Sequence, residues 1–145
     1  MNAFRKAYSV AGALLMLQFF LQLYFIAATL FTIVNANDNA KDVYAAFKNA
    51  DSFAGLHAIN GDLTALTILV MLVLSFAARL PRQTKIMTGV LFALIIIQVI
   101  LAHTGIAVIS ALHGINALVL VALGGFLTGR NWAFGRRTEP VPTTP

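Results

Sequence analysis

Four long apolar runs, at residues 8–34, 59–78, 86–102 and 106–128, are separated by one long polar loop after the first and by short segments after the others. Each is close to the ~20 residues that carry a helix across a bilayer, and the third is the shortest. With 59% apolar and 10% charged residues the chain lies far from a soluble domain, where about 25% would be charged. A backbone in lipid must satisfy its own hydrogen bonds, so these runs have to be helices. The expected fold is an all-α integral membrane protein with four transmembrane helices in one bundle, over residues 1–130.

The cations set the expected orientation. Arg5 and Lys6 precede the first run, Arg79, Arg82 and Lys85 join the second to the third, and Arg130, Arg136 and Arg137 follow the fourth. Only Lys41 and Lys48 stand elsewhere, in a first loop shared with Asp38, Asp42 and Asp51. Positive residues stay on the cytoplasmic side, so both termini are expected inside a bacterial cytoplasmic membrane. The net charge of +5 then reflects topology rather than nucleic-acid binding, because the basic residues are scattered through short loops. A secretory signal peptide is the rival reading of the N-terminus. Its apolar core runs to ~7–15 residues, and the run here is longer, which favours an uncleaved first helix. Cysteine is absent, so disulfides, thiolate metal sites and cysteine nucleophiles are excluded.

Between the runs, the outer loop 35–56 carries Val43, Tyr44 and Phe47 at helical spacing. A short amphipathic helix on the membrane surface fits that spacing, as does a loop with one helical turn. Asp51-Ser52 reads as the N-cap of the second helix, and Thr84, after the helix-breaking Pro81, as the cap of the third. Thr104-Gly105 is the expected break before the fourth helix. Trp132 and Phe134 suit an interfacial anchor, and the proline-rich end of residues 131–145 reads as a cytoplasmic disordered tail.

A repeat narrows the function. Leu-His-Ala-Ile-Asn-Gly at 56–61 returns as Leu-His-Gly-Ile-Asn-Ala at 112–117, each copy opening an apolar run. Gln18 and Gln98, in the first and third runs, are each followed three residues later by leucine, so the repeated unit is a helical hairpin. Two such hairpins related by a pseudo-twofold axis along the membrane normal would make the bundle and set His57 opposite His113.

Polar side chains are costly in lipid, so these histidines are expected to face the bundle interior. On a helix, positions three and four residues apart share a face, which places Asn60 and Gly61 with His57, and Asn116 and Ala117 with His113. The asparagines can hydrogen-bond between helices, while Gly61, Gly114 and the neighbouring Gly55, Ala58 and Ala111 leave open volume. Paired imidazoles in an apolar setting are what a haem iron needs, making His57 and His113 candidate axial ligands of one haem b. His103 is then a further contact to the cofactor or a member of an alternative pair.

The competing reading has the same histidines and asparagines only cross-linking helices, as Gln18, Gln98 and Gln22, one turn beyond Gln18, are expected to do. Bare zinc or copper is poorly served by three histidines without cysteine or glutamate. Asp62, about 140° around the helix from His57, is expected to face another neighbour. As the sole carboxylate within a run it is a candidate for proton handling or for orienting His103, against the alternative of a solvated headgroup-level acid. Gly124-Gly125 reads as a close helix contact. No phosphate loop, Ser-His-Asp set or carboxylate pair is present, which leaves hydrolase and kinase chemistry unsupported.

Gln-Phe-Phe-Leu in the first helix, Leu-His-x-x-Asn-Gly opening the second, Ala-Arg-Leu-Pro-Arg closing it and Leu-His-x-x-Asn opening the fourth resemble a family of small bacterial four-helix membrane proteins of unknown function. Histidines on the second and fourth helices after a long first loop are also similar, more distantly, to one half of haem A synthase. That likeness implies haem ligation by His57 and His113. The glutamate that family carries one turn before its first histidine is replaced by Ala54, which leaves electron transfer, haem sensing or haem handling rather than oxidative haem chemistry. Three functions are thus open: a bis-histidine haem b protein, a cofactor-free accessory subunit of a membrane complex, and a small transporter. Expected partners are the bilayer, a redox or respiratory membrane complex, or further copies of the chain.

Overall fold

The computed structural model describes residues 2–39 and 41–134. Four helices follow one another: α1 (Asn2–Asp38), α2 (Val43–Ala77), α3 (Arg82–Ala102) and α4 (Ala107–Arg130). All four are long and apolar enough to cross a membrane. Large apolar side chains such as Phe20, Phe31, Ile59, Val73, Ile100 and Leu118 stand exposed around the flanks. A water-soluble monomer rarely exposes so continuous an apolar surface, so lipid is the solvent that suits it and the chain is a multi-pass membrane protein.

The helices close a ring. α1 packs along α2 and α3 along α4, with smaller contacts between α2 and α3 and between α1 and α4. Among the described residues the diagonal pairs, α1 with α3 and α2 with α4, do not approach at backbone level. Only side chains cross the centre.

One end of the ring, where the termini lie, is locked. Tyr8 on α1 reaches Thr88 on α3 at 2.8 Å, and both are buried. Thr88 donates its single hydroxyl hydrogen to the Thr84 carbonyl, so the tyrosine must be the donor to Thr88. Ser9 Oγ donates to the Asn131 carbonyl and accepts from the Ala133 amide, which ties the start of α1 to the segment after α4. Just beyond, α1 and α4 meet closely. A Cβ added to Gly12 would stand 2.7 Å from Thr128 Oγ1, and one on Gly124 would stand 2.8 Å from the Phe19 ring. Gly125 meets only Met16, at an ordinary 3.6 Å, so Gly124 alone of the pair is required by the contact.

Several local expectations shift. The connection between α1 and α2 is mostly helix: α1 runs to Asp38 and α2 starts at Val43, leaving a turn rather than a loop over 35–56. Asp42, not Asp51, caps α2, its carboxylate accepting from the Tyr44 and Ala45 amides. Once that earlier cap forms, Asp51 and Ser52 lie inside the helix, and the amphipathic stretch around Tyr44 and Phe47 is its first turns. Buried Ala36, Ala46 and Ala50 let α1 and α2 stay in contact there. Thr84 is no cap either; Pro81 takes that position without a side-chain bond, while Thr84 is buried and reaches Asn131 Oδ1 at 3.3 Å. The break at Thr104-Gly105 stands, with Gly105 at a φ of +68° that a side chain would strain. Trp132 and Phe134 pack on each other with Lys6 over the Phe134 ring. Arg136, Arg137 and the tail from residue 135 lie outside the described residues.

At 1.5 Å per residue, α1 and α2 are about 55 and 52 Å long, against about 31 Å for α3 and 36 Å for α4. The hydrocarbon core is about 30 Å, so the first hairpin overruns it at the end opposite the termini. Replacing Gly124 by valine should drive a branched side chain into Phe19 and cost about 1–3 kcal/mol. Gly125→Ala should leave stability at or above wild type, since alanine also favours the helix. Thermal unfolding in detergent compares the two.

Candidate functional site

Each repeat motif grips the neighbouring helix by two backbone carbonyls. Asn60 Nδ2 donates to the Gln18 carbonyl at 2.9 Å, and His57 Nδ1 lies 3.3 Å from the Gln22 carbonyl one turn along. Asn116 Nδ2 donates to the Leu94 carbonyl at 2.9 Å, and His113 Nδ1 lies 3.1 Å from the Gln98 carbonyl one turn along. Residues three apart on α2 or α4 thus bridge carbonyls four apart on α1 or α3, because both spacings are close to one helical turn. This arrangement revises the glutamine equivalence read from the sequence. The counterpart of Gln98 is Gln22, and that of Gln18 is Leu94. Gln98 does serve helix packing, since its Oε1 accepts a second bond from Asn116 at 2.7 Å. Gln18 serves through its carbonyl, while its own side-chain Oε1 is buried without a partner.

A carbonyl oxygen only accepts, so both imidazoles must carry their hydrogen on Nδ1. In the neutral ring that fixes the tautomer and leaves each Nε2 with its lone pair free. The two rings face each other across the α2–α4 diagonal with centroids 6.2 Å apart and planes inclined at 54°. Two imidazoles sharing a direct N–H···N bond would have centroids about 5 Å apart. Two imidazoles bound to opposite sides of one metal atom, through bonds of about 2 Å, would have them about 6 Å apart.

Around the rings lies a cavity of about 540 Å³ walled by all four helices. His57 and His113 line it, together with Ala58, Gly61, Gly114 and Ala117, whose small side chains leave the space open. A Cβ on Gly114 would meet nothing within 4 Å, whereas one on Gly61 would press on Gln22 Nε2 at 3.1 Å. Gly55 and Ala111, expected to contribute volume, are not among the lining residues. Towards the terminal end the cavity is floored by Phe19, Thr64, Ile95 and Leu120.

His103 and Asp62 also line the cavity. His103, the residue that ends α3, is exposed, and its Nδ1 lies 2.8 Å from the Val99 carbonyl of its own helix. Asp62 was expected to face elsewhere. It lines the space because the cavity takes in an arc of α2 from Thr64 through His57 to Asp62, about 160° at 100° per residue. Among the described residues no group of three or more histidines and acids converges to hold a bare metal ion, so zinc or copper bound by protein ligands alone gains nothing from the geometry. Gln22, one turn beyond Gln18 and like it expected to hold helices together, does so through its backbone rather than its side chain. Its carbonyl holds His57, and its buried Oε1 has no partner.

Residues 44–106 match a family of unknown function (DUF6220), covering the His57 motif, Gln98 and His103 but not His113. No curated protein and no solved structure matches the chain. The likeness to one half of haem A synthase therefore rests only on the residues that suggested it.

The carbonyl bonds should be measurable apart from any ligand. Asn60→Leu and Asn116→Leu should each lower stability in detergent by about 0.6 kcal/mol, the average for interhelical hydrogen bonds in a membrane bundle, and by no more than about 1.7 kcal/mol. Asn116→Leu should be the larger, as it alone also strands a glutamine oxygen.

Proposed function

We propose that this protein binds one haem b through His57 and His113 in a bacterial cytoplasmic membrane and serves electron transfer or haem handling. The observation that carries the reading is the 6.2 Å separation of two rings that make no hydrogen bond to each other and share a tautomer with Nε2 free. Haem ligands in proteins commonly have their other ring nitrogen bonded to a carbonyl, which orients the imidazole and raises its basicity. Here Gln22 and Gln98 supply those carbonyls. The residues fit the group in three respects: ligand spacing, ligand tautomer and a cavity within the ~300–1,000 Å³ range of small-molecule sites.

A haem held by two histidines supplies a one-electron couple. The protein's own part is to hold both imidazoles rigidly, keep a proton on each Nδ1, and exclude water with the apolar floor below. In this reading the hairpins are related by a pseudo-twofold axis along the membrane normal, and both termini are cytoplasmic. The repeated carbonyl grip and the distribution of Lys and Arg support these two points. A redox or respiratory complex, or a second copy of the chain, is the corresponding partner.

The competing reading, a cofactor-free accessory subunit, draws on the same hydrogen bonds, since His57, Asn60, His113 and Asn116 all tie helices together. A visible spectrum separates the two. Protein expressed with ample haem and purified in detergent should show a Soret band of six-coordinate low-spin haem at one per chain. His57→Ala or His113→Ala should remove most of it or convert it to a five-coordinate form that binds carbon monoxide, while His103→Ala should retain it. Colourless wild-type protein that fails to take up added haem would leave the accessory-subunit reading in place.

A further inference from the structure

Resting on the haem reading, we infer that His103 binds the carboxylate edge of the porphyrin and sets which way round it lies. Among the described residues four titratable side chains line the cavity: His57 and His113, engaged in the site, and Asp62 and His103. α1 contributes no charged group to it; Phe19, Gln22, Leu23 and Ile26 are its lining residues. Among the described residues no lysine or arginine lines it, although the carboxylates of a haem b need hydrogen-bond donors or cations when they leave water.

The two remaining groups stand at opposite ends. His113 is level with Gln98 through its carbonyl bond, and His103 lies five residues further along α3, about 7.5 Å towards the end opposite the termini. Asp62 lies five residues along α2 from His57, about 7.5 Å towards the terminal end. A carboxylate there repels the acidic edge of a porphyrin, and the apolar floor of Phe19, Ile95 and Leu120 beside it suits the hydrocarbon edge. His103 keeps Nδ1 on the Val99 carbonyl, so its Nε2 is the nitrogen able to donate to an anion once protonated. Charge and polarity therefore orient the acidic edge towards the open end of the bundle.

The test compares haemin with its dimethyl ester, which lacks the two charges, in titrations of the purified apoprotein read by the Soret band. Wild type should bind haemin about tenfold more tightly than the ester, the discrimination expected of one hydrogen bond to a charged group. His103→Ala should bring the two affinities together while the spectrum stays six-coordinate, and His103→Lys should restore the preference. An unchanged preference in His103→Ala with an intact low-spin spectrum overturns the role of His103 and leaves the axial pair standing. Failure of wild type to bind either porphyrin overturns both. Thermal unfolding of each variant without porphyrin guards against a folding defect passing for a lost preference.

Discussion

The bundle depends on a side chain reaching the backbone of the next helix. In lipid, apolar surfaces gain little from meeting each other, because the acyl chains they leave are equally apolar. Packing alone therefore leaves two helices free to slide and rotate. The grip of Asn60 and His57 on the Gln18 and Gln22 carbonyls removes that freedom in the first hairpin, and Asn116 and His113 do the same in the second. A shift by one residue would turn the accepting carbonyls by about 100° around the helix and break both bonds at once.

The same contacts divide the molecule into a closed end and an open one. Near the termini, Tyr8 and Thr88 join across the centre, and Gly12 and Gly124 bring α1 against α4. Beyond Phe19 that closure stops. The histidines hold their rings by Nδ1 at the wall, which keeps two large side chains from collapsing into the middle and leaves small residues to face the space. Cavity and cross-link are thus one device: the bonds that fix helix register also fix where the free nitrogens stand.

Much of this was legible in the chain because the bilayer simplifies the code. Four apolar runs and the helix breaks at Pro81 and Gly105 follow from composition and backbone preference, and the histidine repeat is visible by alignment of the chain with itself. What stayed hidden is relative register. Gln18 and Gln98 look equivalent because both are glutamines followed by Leu21 and Leu101, yet the contacts go to carbonyls, which every residue carries and no sequence marks. Asp42 and Asp51 are likewise equal as caps on paper. The choice fell to Asp42 because Ala46 and Ala50 can continue packing on α1 beyond the apolar run. Asp62 was misplaced for a related reason, since a helical wheel gives an angle and not the width of the opening that angle faces.

The two hairpins share a grip but not a length, and the difference bears on how the site meets its surroundings. Measured from the gripped carbonyls, α1 continues about 30 Å from Gln18 to Asp38, whereas α3 continues about 12 Å from Leu94 to Ala102. Because His57 and His113 face one another, those carbonyls stand at similar levels, so the first hairpin projects about 18 Å past the end of α3. The cavity therefore has a tall wall on the side of α1 and α2 and a low rim on the side of α3 and α4, where His103 and the turn at Gly105 lie. A molecule approaching from that end reaches the site over the low rim with the projecting hairpin behind it. Duplication of the grip supplied two matched imidazoles, and the unequal extension of the copies gave their common cavity a front and a back.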